Sequence, residues 1–420
     1  MAFDPLDLAN RQLASDRART AAFPGLFERK LKRMSASPLA FLRGAAPLFY
    51  TLLRLRPALA EGPDGEGWLT GDMHLENFGA YRPDPRSFGT SRDKRELRAV
   101  FDVNDFDEAM VGPLRLDVLR LATSLILGGR ELGADGVSVL SLCDSLLDAY
   151  TEEAFGRARA PAPCAPVDAL VRQVRARSRR ELLDARTVLQ GGERRFRVDR
   201  LDPRYRSLPR SIREAVPRAM NRYAATLSDG ERPSEPRALE ILDCALRIAG
   251  TGSLGSLRVA VLVRGKGGRD GAFLFDMKEE GVPSAAVLLG APSLDPAERV
   301  VTAMRSCLEH PPRMLGVTRL AGKSMFVRRL APQEDKLALT HTTHQGDVRH
   351  AIHHDAMGPL AAHLGALLGR AHRRGSGSPR GKAWRRADRL GIVDRAITLA
   401  GIHEAIYLAV CKQARDLGGA

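Results

Sequence analysis

The sequence predicts an α+β protein, and two textures along the chain carry that prediction. Apolar residues recur at three-and-four spacing through 37–59, 113–133, 136–157, 359–374 and 394–415, the period of helices that bury one face. Two other stretches, 68–108 and 248–280, break into short apolar or β-branched runs punctuated by Gly and Asp, as strands joined by tight turns do. With 420 residues the chain can bury a sizeable core without disulfides or metal.

In chain order, Ser37 and Pro38 read as the cap and first turn of a helix in SPLAFLRGAAPLFYTLLRLRPAL, which closes the helical region 1–60. The loop EGPDGEG follows. WLTGDMHLENFGA starts as a strand and turns polar, and LRAVFDVNDFDEA is a second strand ending in acids. GPLRLDVLRLATSLILGGRELG predicts a buried helix from about Pro113. RARAPAPCAP reads as a linker, VRQVRARSRRELLDARTVLQ as an exposed basic helix, and the stretch to 235 as Pro-interrupted helical pieces. In IAGTGSLGSLRVAVLVRGKGGRDGAFLFDMKEE two glycine-rich turns separate apolar strands. A helix is expected at 295–310, a strand at FVRRL, and two C-terminal helices on either side of GSGSPRG.

Composition excludes several classes. No apolar run approaches the roughly 18 residues that span a bilayer. The start MAFDPLDLANRQ carries acids where an export signal needs a basic, then apolar, segment. Five cysteines stand far apart with no CxxC pair, so a reducing cytoplasm is expected. The balance of 65 Lys+Arg against 50 Asp+Glu gives +15, yet the arginines are dispersed and aromatics are only 5%, so no nucleic-acid motif emerges. That field would instead favour an anionic ligand such as a nucleotide. Oligomeric state is not legible.

The segment GDMHLENFG supplies Asp72, His74 and Asn77 as D-x-H-x-x-N on a turn after a strand, and 28 residues past Asn77 comes Asp105 at the end of another. Phosphoryl transfer from ATP needs this set: a carboxylate for the acceptor hydroxyl, and an amide oxygen with a second carboxylate to hold Mg2+. Short polar residues in loops also cap helices and close turns, the bland reading of any one of them. The acids Asp102, Asp105, Asp107 and Glu108 repel one another unless a cation joins them. FDVNDFDE lacks the central Gly and distal Glu of a calcium loop. AGKS at 321–324 fails the Walker frame because Gly316 is one residue too far from Gly322. Seven of the ten histidines fall between His341 and His372, and an exposed polar linker is the expected reading rather than a metal site. His74 is expected to order the turn.

SASPLAFLRGAAPLFY, GDMHLENFG, VFDVNDFDEAMVGPLRLDVLRLATSL, GTGSLGSLR, FLFDMKEE and LGRAH, in this order, resemble the uncharacterised bacterial family DUF2252 over most of the chain outside the Arg-rich stretch. GDMHLEN and DFDEA also resemble the catalytic and metal loops of aminoglycoside phosphotransferase-like kinases. That resemblance implies Asp72 as catalytic carboxylate, Asn77 and Asp105 as Mg2+ ligands, and Asp117 as a helix residue bracing the loop. Thr70 stands where those kinases carry a His, so the bracing must differ.

The second half matches the remaining kinase parts. The loop with Gly250, Gly252, Ser253 and Gly255 would cover ATP phosphates, Lys278 on its strand would neutralise them, and Glu298 is a candidate partner of Lys278, with Glu279, Glu280 and Glu309 competing. A kinase places this small lobe before the catalytic loop, whereas here it follows. The implied fold is therefore a two-lobed protein-kinase-like α+β fold, circularly permuted. Its expected parts are 1–160 with the catalytic and metal loops, 161–235 as an Arg-rich helical insertion, 236–332 as the β-rich nucleotide lobe, and 333–420 as helices completing the large lobe. The expected activity is Mg-ATP-dependent phosphotransfer to an unidentified hydroxyl-bearing acceptor. Transfer of AMP, a non-catalytic nucleotide-binding module and a metal-dependent hydrolase are the alternatives.

Overall fold

The computed structural model describes residues 4–88, 99–156, 163–198, 204–339, 356–377 and 383–418. The chain opens with four helices, Pro5–Thr20, Leu26–Met34, Pro38–Gly44 and Ala46–Leu55. The Ser37 side chain accepts from the Ala40 amide, with Pro38 in the first turn, as the sequence predicts. The apolar run 37–59 nevertheless splits at Ala45. Pro47 has no amide hydrogen to continue the first helix and sits instead in the first turn of the next.

Two buried pairs of helices form the centre of the molecule. Arg115–Glu131 is buried almost continuously from Leu116 to Gly129, so its polar residues Asp117 and Arg120 are held inside the core. Gly136–Phe155 packs along Met357–Gly375, and Arg386–Gly418 packs on Arg115–Glu131, so both ends of the chain build one helical body. The close pairing rests on two glycines one turn apart. A Cβ at Gly365 would lie 2.2 Å from the Leu146 carbonyl oxygen, and one at Gly369 would lie 2.6 Å from that of Tyr150. Among the described residues no helix is long and apolar enough to cross a membrane.

A six-stranded antiparallel sheet covers the second texture, in the order Gly316–Leu320, Lys323–Leu330, Phe273–Glu279, Arg258–Val263, Ile241–Arg247, Tyr205–Arg206. One face buries Val259, Val261, Phe275 and Met277 against Val216, Ala219, Met220 and Tyr223 of helix Arg210–Thr226. Pro296–Cys307 packs both on this sheet and on Met357–Gly375, joining sheet to helical body. Smaller antiparallel ladders pair Glu66–Leu69 with Met110–Pro113, and Phe78–Tyr81 with both Val100–Val103 and Asp335–Lys336.

Two expectations about the Arg-rich stretch are corrected. Residues 171–190 are not one basic helix: helices Ala165–Ala176 and Arg179–Arg186 meet at Ser178, whose capping box with Glu181 starts the second. The β-branched Thr187 and Val188 then enter a hairpin, Thr187–Gln190 with Glu193–Phe196, turned by Gly191 and Gly192 at positive φ of 58° and 81°. Nor does the sheet begin at 236. Tyr205–Arg206 is its edge strand and Arg210–Thr226 its covering helix, because the apolar side of that helix has the sheet's core as its partner. Pro217 lies inside this helix without ending it.

Candidate functional site

Strand pairing brings the two acidic loops together. Phe78–Tyr81 begins directly after Asn77, and its register sets Gly79 against Asp102 and Phe78 against Val103, so Asn77, just outside one strand, and Asp105, two residues beyond the other, emerge at one end of the ladder. Asn77 joins them: its Nδ2 donates to the backbone carbonyls of Asp72 (3.2 Å) and Asp105 (3.3 Å). Asn77 is 1% exposed, and its Oδ1 is buried with no hydrogen-bond partner among the described residues.

Asp117 braces the loop from below. Its carboxylate accepts from the Thr70 amide (2.6 Å), the Thr70 hydroxyl (3.0 Å) and the Gly71 amide (3.0 Å), and His372 Nε2 lies 3.2 Å from it. The hydroxyl of Thr70 and the imidazole of His372, from the helix Met357–Gly375, thus both meet this carboxylate where a loop histidine was missing. Tyr150 Oη, 2.9 Å from Nδ1 of His372, orients the ring from the other side.

Asp72 is held by Arg120, one turn beyond Asp117 on the same helix. Both Nε (3.0 Å) and Nη2 of Arg120 approach Oδ1, while Nη2 also donates to the Leu42 carbonyl at 2.8 Å. Burial pushes Asp72 up to about 6 despite Arg120, with Glu108 and Asp105 adding to the rise. His74 lies two residues further along the same loop. Its Nδ1 accepts the Glu76 amide at 3.2 Å, and burial, reinforced by Arg43 and Arg120, keeps the ring neutral well below its ordinary range, so it orders the turn.

From the sheet, Lys278 enters the same cleft, 4% exposed, with Nζ against Asp107 Oδ2 and 3.7 Å from Glu280 Oε1. Asp105 pairs instead with Lys336, at 2.8 Å. Burial pushes Asp105 up, but Lys336 and Lys278 outweigh it and hold the carboxylate well below the usual range. Burial raises Glu280 to about 7 even with Lys278 and Arg299 beside it. Asp72, His74, Asn77, Asp105, Lys278 and the loop residues Gly250, Gly252 and Ser253 line one cavity of about 1070 Å³.

Two residues expected at the site are elsewhere. Glu298 is exposed and does not meet Lys278. The phase of helix Pro296–Cys307 turns Arg299 inward in its place, where Nη2 donates to the carbonyls of Asp107 (2.8 Å) and Gly281 (3.1 Å) and Nη1 to that of Ala109. Gly255 does not line the cavity; at φ 102° its α-carbon abuts the Arg19 carbonyl, where a Cβ would come within 2.3 Å. Arg19 and Arg33 of the first two helices donate to the carbonyls of Gly252 and Gly250, so the N-terminal helices hold the glycine-rich loop.

Sequence reasoning missed Arg120, Asp107 as the partner of Lys278, Lys336 and His372. Arg120 carried a signal, since a buried cation three residues after Asp117 shares its helix face. Lys336 carried none, because only the short pairing of Asp335–Lys336 with Phe78–Tyr81 brings it to Asp105. The histidine-rich segment 341–354 lies outside the described residues. Among the described residues no three His, Cys, Asp or Glu side chains form a metal cage. The orphaned Asn77 Oδ1 and ionised Asp105 do suit Mg2+, which takes one or two protein oxygens and completes its shell with water and phosphate.

The fold and cleft define a class: an α+β protein in which an antiparallel sheet with a buried lysine faces paired acidic loops on a helical body. The chain belongs to DUF2252, described as uncharacterized protein conserved in bacteria, whose family model matches residues 22–414. No curated protein and no solved structure matches it.

Proposed function

We propose that this protein transfers a phosphoryl group from ATP, with Mg2+, to a hydroxyl-bearing acceptor, on a two-lobed kinase-like framework assembled in permuted order. The observation that carries the reading is the convergence of three distant segments: Lys278 reaches the acid loop at Asp107, and Asn77 ties that loop to Asp72 while keeping a buried Oδ1 uncommitted. The strand, glycine-rich turn, strand, lysine strand and helix of residues 241–307 support the same framework, as does the bracing of the Asp72 loop by Asp117.

In this mechanism Asp72 orients the acceptor hydroxyl and takes its proton, and Arg120 fixes Asp72 through Oδ1. The acceptor oxygen bonds to the γ-phosphorus and the bond from that phosphorus to the ADP oxygen breaks. Asn77 and Asp105 would hold Mg2+, which supplies charge neutralisation on the phosphates, and Lys278 adds its own charge to them. Transfer of AMP would use the same residues. Following label from α- and γ-labelled ATP into the acceptor separates the two.

Two measurements test the reading. Mg-ATP at a hundred times its Kd should stabilise the fold by about 2.7 kcal/mol, a rise in Tm of roughly 3 °C for a chain of this size. No shift at millimolar Mg-ATP would remove nucleotide binding altogether. The pH profile is the second. Asp72 must be ionised to accept a proton, so kcat/KM should fall about tenfold per pH unit below about 6, the value to which burial raises it. That loss is not unfolding: because the folded form holds this proton more tightly than the unfolded chain, the Asp72 contribution to stability improves as pH drops from about 6 toward 3.8. Rates and Tm recorded together across pH 5–8 check both signs.

A further inference from the structure

The sheet side of the cleft carries charge that the chemistry above leaves unused. A slot for a flat base is mostly apolar, but here Lys278 stands directly opposite Arg258 on the neighbouring strand and Asp276 directly opposite Arg328. Residues two apart on a strand share a face. Together with Arg247 of the next strand, all of them line the same cavity.

One buried carboxylate serves both Arg247 and Arg258. Asp276, 2% exposed, receives Arg258 Nε at 2.9 Å and 3.0 Å on its two oxygens, and Arg247 Nη1 lies 2.6 Å from Oδ2. Arg247 Nε is buried with no acceptor among the described residues, and the ionic partner of Arg328, Glu334, is 3.7 Å away. Like charges directly opposite in a sheet are destabilising, and a buried guanidinium short of acceptors is costly. Burial pulls Arg247 down to about 10, Asp276 opposing and Arg258 reinforcing the fall. An anion placed beside Arg247 and Arg328 would supply the close acceptors that they lack.

We propose that Arg247, Arg258 and Arg328 form a phosphate-binding subsite, so that the cleft takes a ligand carrying a second phosphate beside the group bound at Lys278. The planar guanidinium fork matches phosphate oxygens in pairs. Asp276 holds Arg258 in position beforehand. The inference rests on the cleft described above and adds to it the class of ligand: one with phosphate at two separated points. That second phosphate belongs either to the nucleotide itself or to a phosphorylated acceptor.

Calorimetric titration of the full chain with inorganic tripolyphosphate tests this. Wild type should bind, and Arg247→Gln and Arg328→Gln should each weaken binding at least tenfold. Arg328→Gln strands no buried carboxylate, so it keeps the test readable even if Arg247→Gln folds poorly. No binding to wild type, or unchanged affinity in both folded variants, overturns the proposal. Repeating the titration under saturating Mg-ATP assigns the source: displacement means the nucleotide's own phosphates, and simultaneous binding means an acceptor phosphate. A protein that binds Mg-ATP but ignores tripolyphosphate sinks this subsite alone. One that ignores Mg-ATP while losing tripolyphosphate in Arg247→Gln sinks the nucleotide reading alone.

Discussion

Asp105→Asn is expected to lose both Mg-ATP binding and turnover, whereas Asp72→Asn should keep the binding and lose turnover by ~10²-fold or more. The difference follows from what each carboxylate touches. Asp105 is kept ionised by Lys336 and Lys278 against its own burial, and it completes with Asn77 Oδ1 the only pair of oxygens assigned to the metal. An amide in its place removes a hard anionic ligand. Asp72 is committed to Arg120 through Oδ1 and its backbone carbonyl to Asn77, so its amide disturbs neither the metal pair nor Lys278. Lys278→Ala should weaken nucleotide affinity through lost charge neutralisation, and it also leaves Asp107 without its cation. Circular dichroism, Mg-ATP titration and ADP formation on the same preparations check all three. Wild-type turnover in both Asp72→Asn and Asp105→Asn would eliminate the mechanism, and normal nucleotide binding by Lys278→Ala would detach the sheet from the site.

Asp117→Ala should be the most destabilising single change near the site, by about 3–5 kcal/mol. The carboxylate has no solvent exposure and accepts from the Thr70 amide, the Thr70 hydroxyl and the Gly71 amide, with His372 alongside. Alanine strands these donors in the core, and each unpaired buried group costs about 1–3 kcal/mol. A fall in Tm of roughly 3–6 °C is the expected reading. Thr70→Val removes one hydroxyl bond and should cost only about 1 kcal/mol. If Asp117→Ala melts like wild type, the loop is held by something other than this carboxylate.

The candidate site was legible where chemistry and spacing are local. Asp72, Asn77 and Asp105 stand in loops flanked by short strands, and both the loops and the strands are where the periodicity predicts them. Asp117 came only through resemblance, and its bonds to Thr70 and Gly71 supply the physical content. Glu298 failed because helix phase cannot be judged from one charged residue: Arg299, next to it, is the buried one. The Arg-rich stretch misled because its composition hides a single apolar stripe, Val216, Ala219, Met220 and Tyr223, whose partner is far along the chain.

By itself the sequence determined the mixed α+β character, the buried helix carrying Asp117, the turn-bearing strands around Lys278 and the identity of the acidic loops. These follow from period, caps and turns, which act within a few residues. Tertiary structure alone decided that Lys278 meets Asp107 while Lys336 meets Asp105, that His372 reaches Asp117, and that Arg247, Arg258 and Arg328 gather around Asp276. Each of these pairings joins groups that are distant in the chain or on separate strands. Which cation neutralises which carboxylate depends on strand register and on how helices close over the core, and neither is written in local spacing.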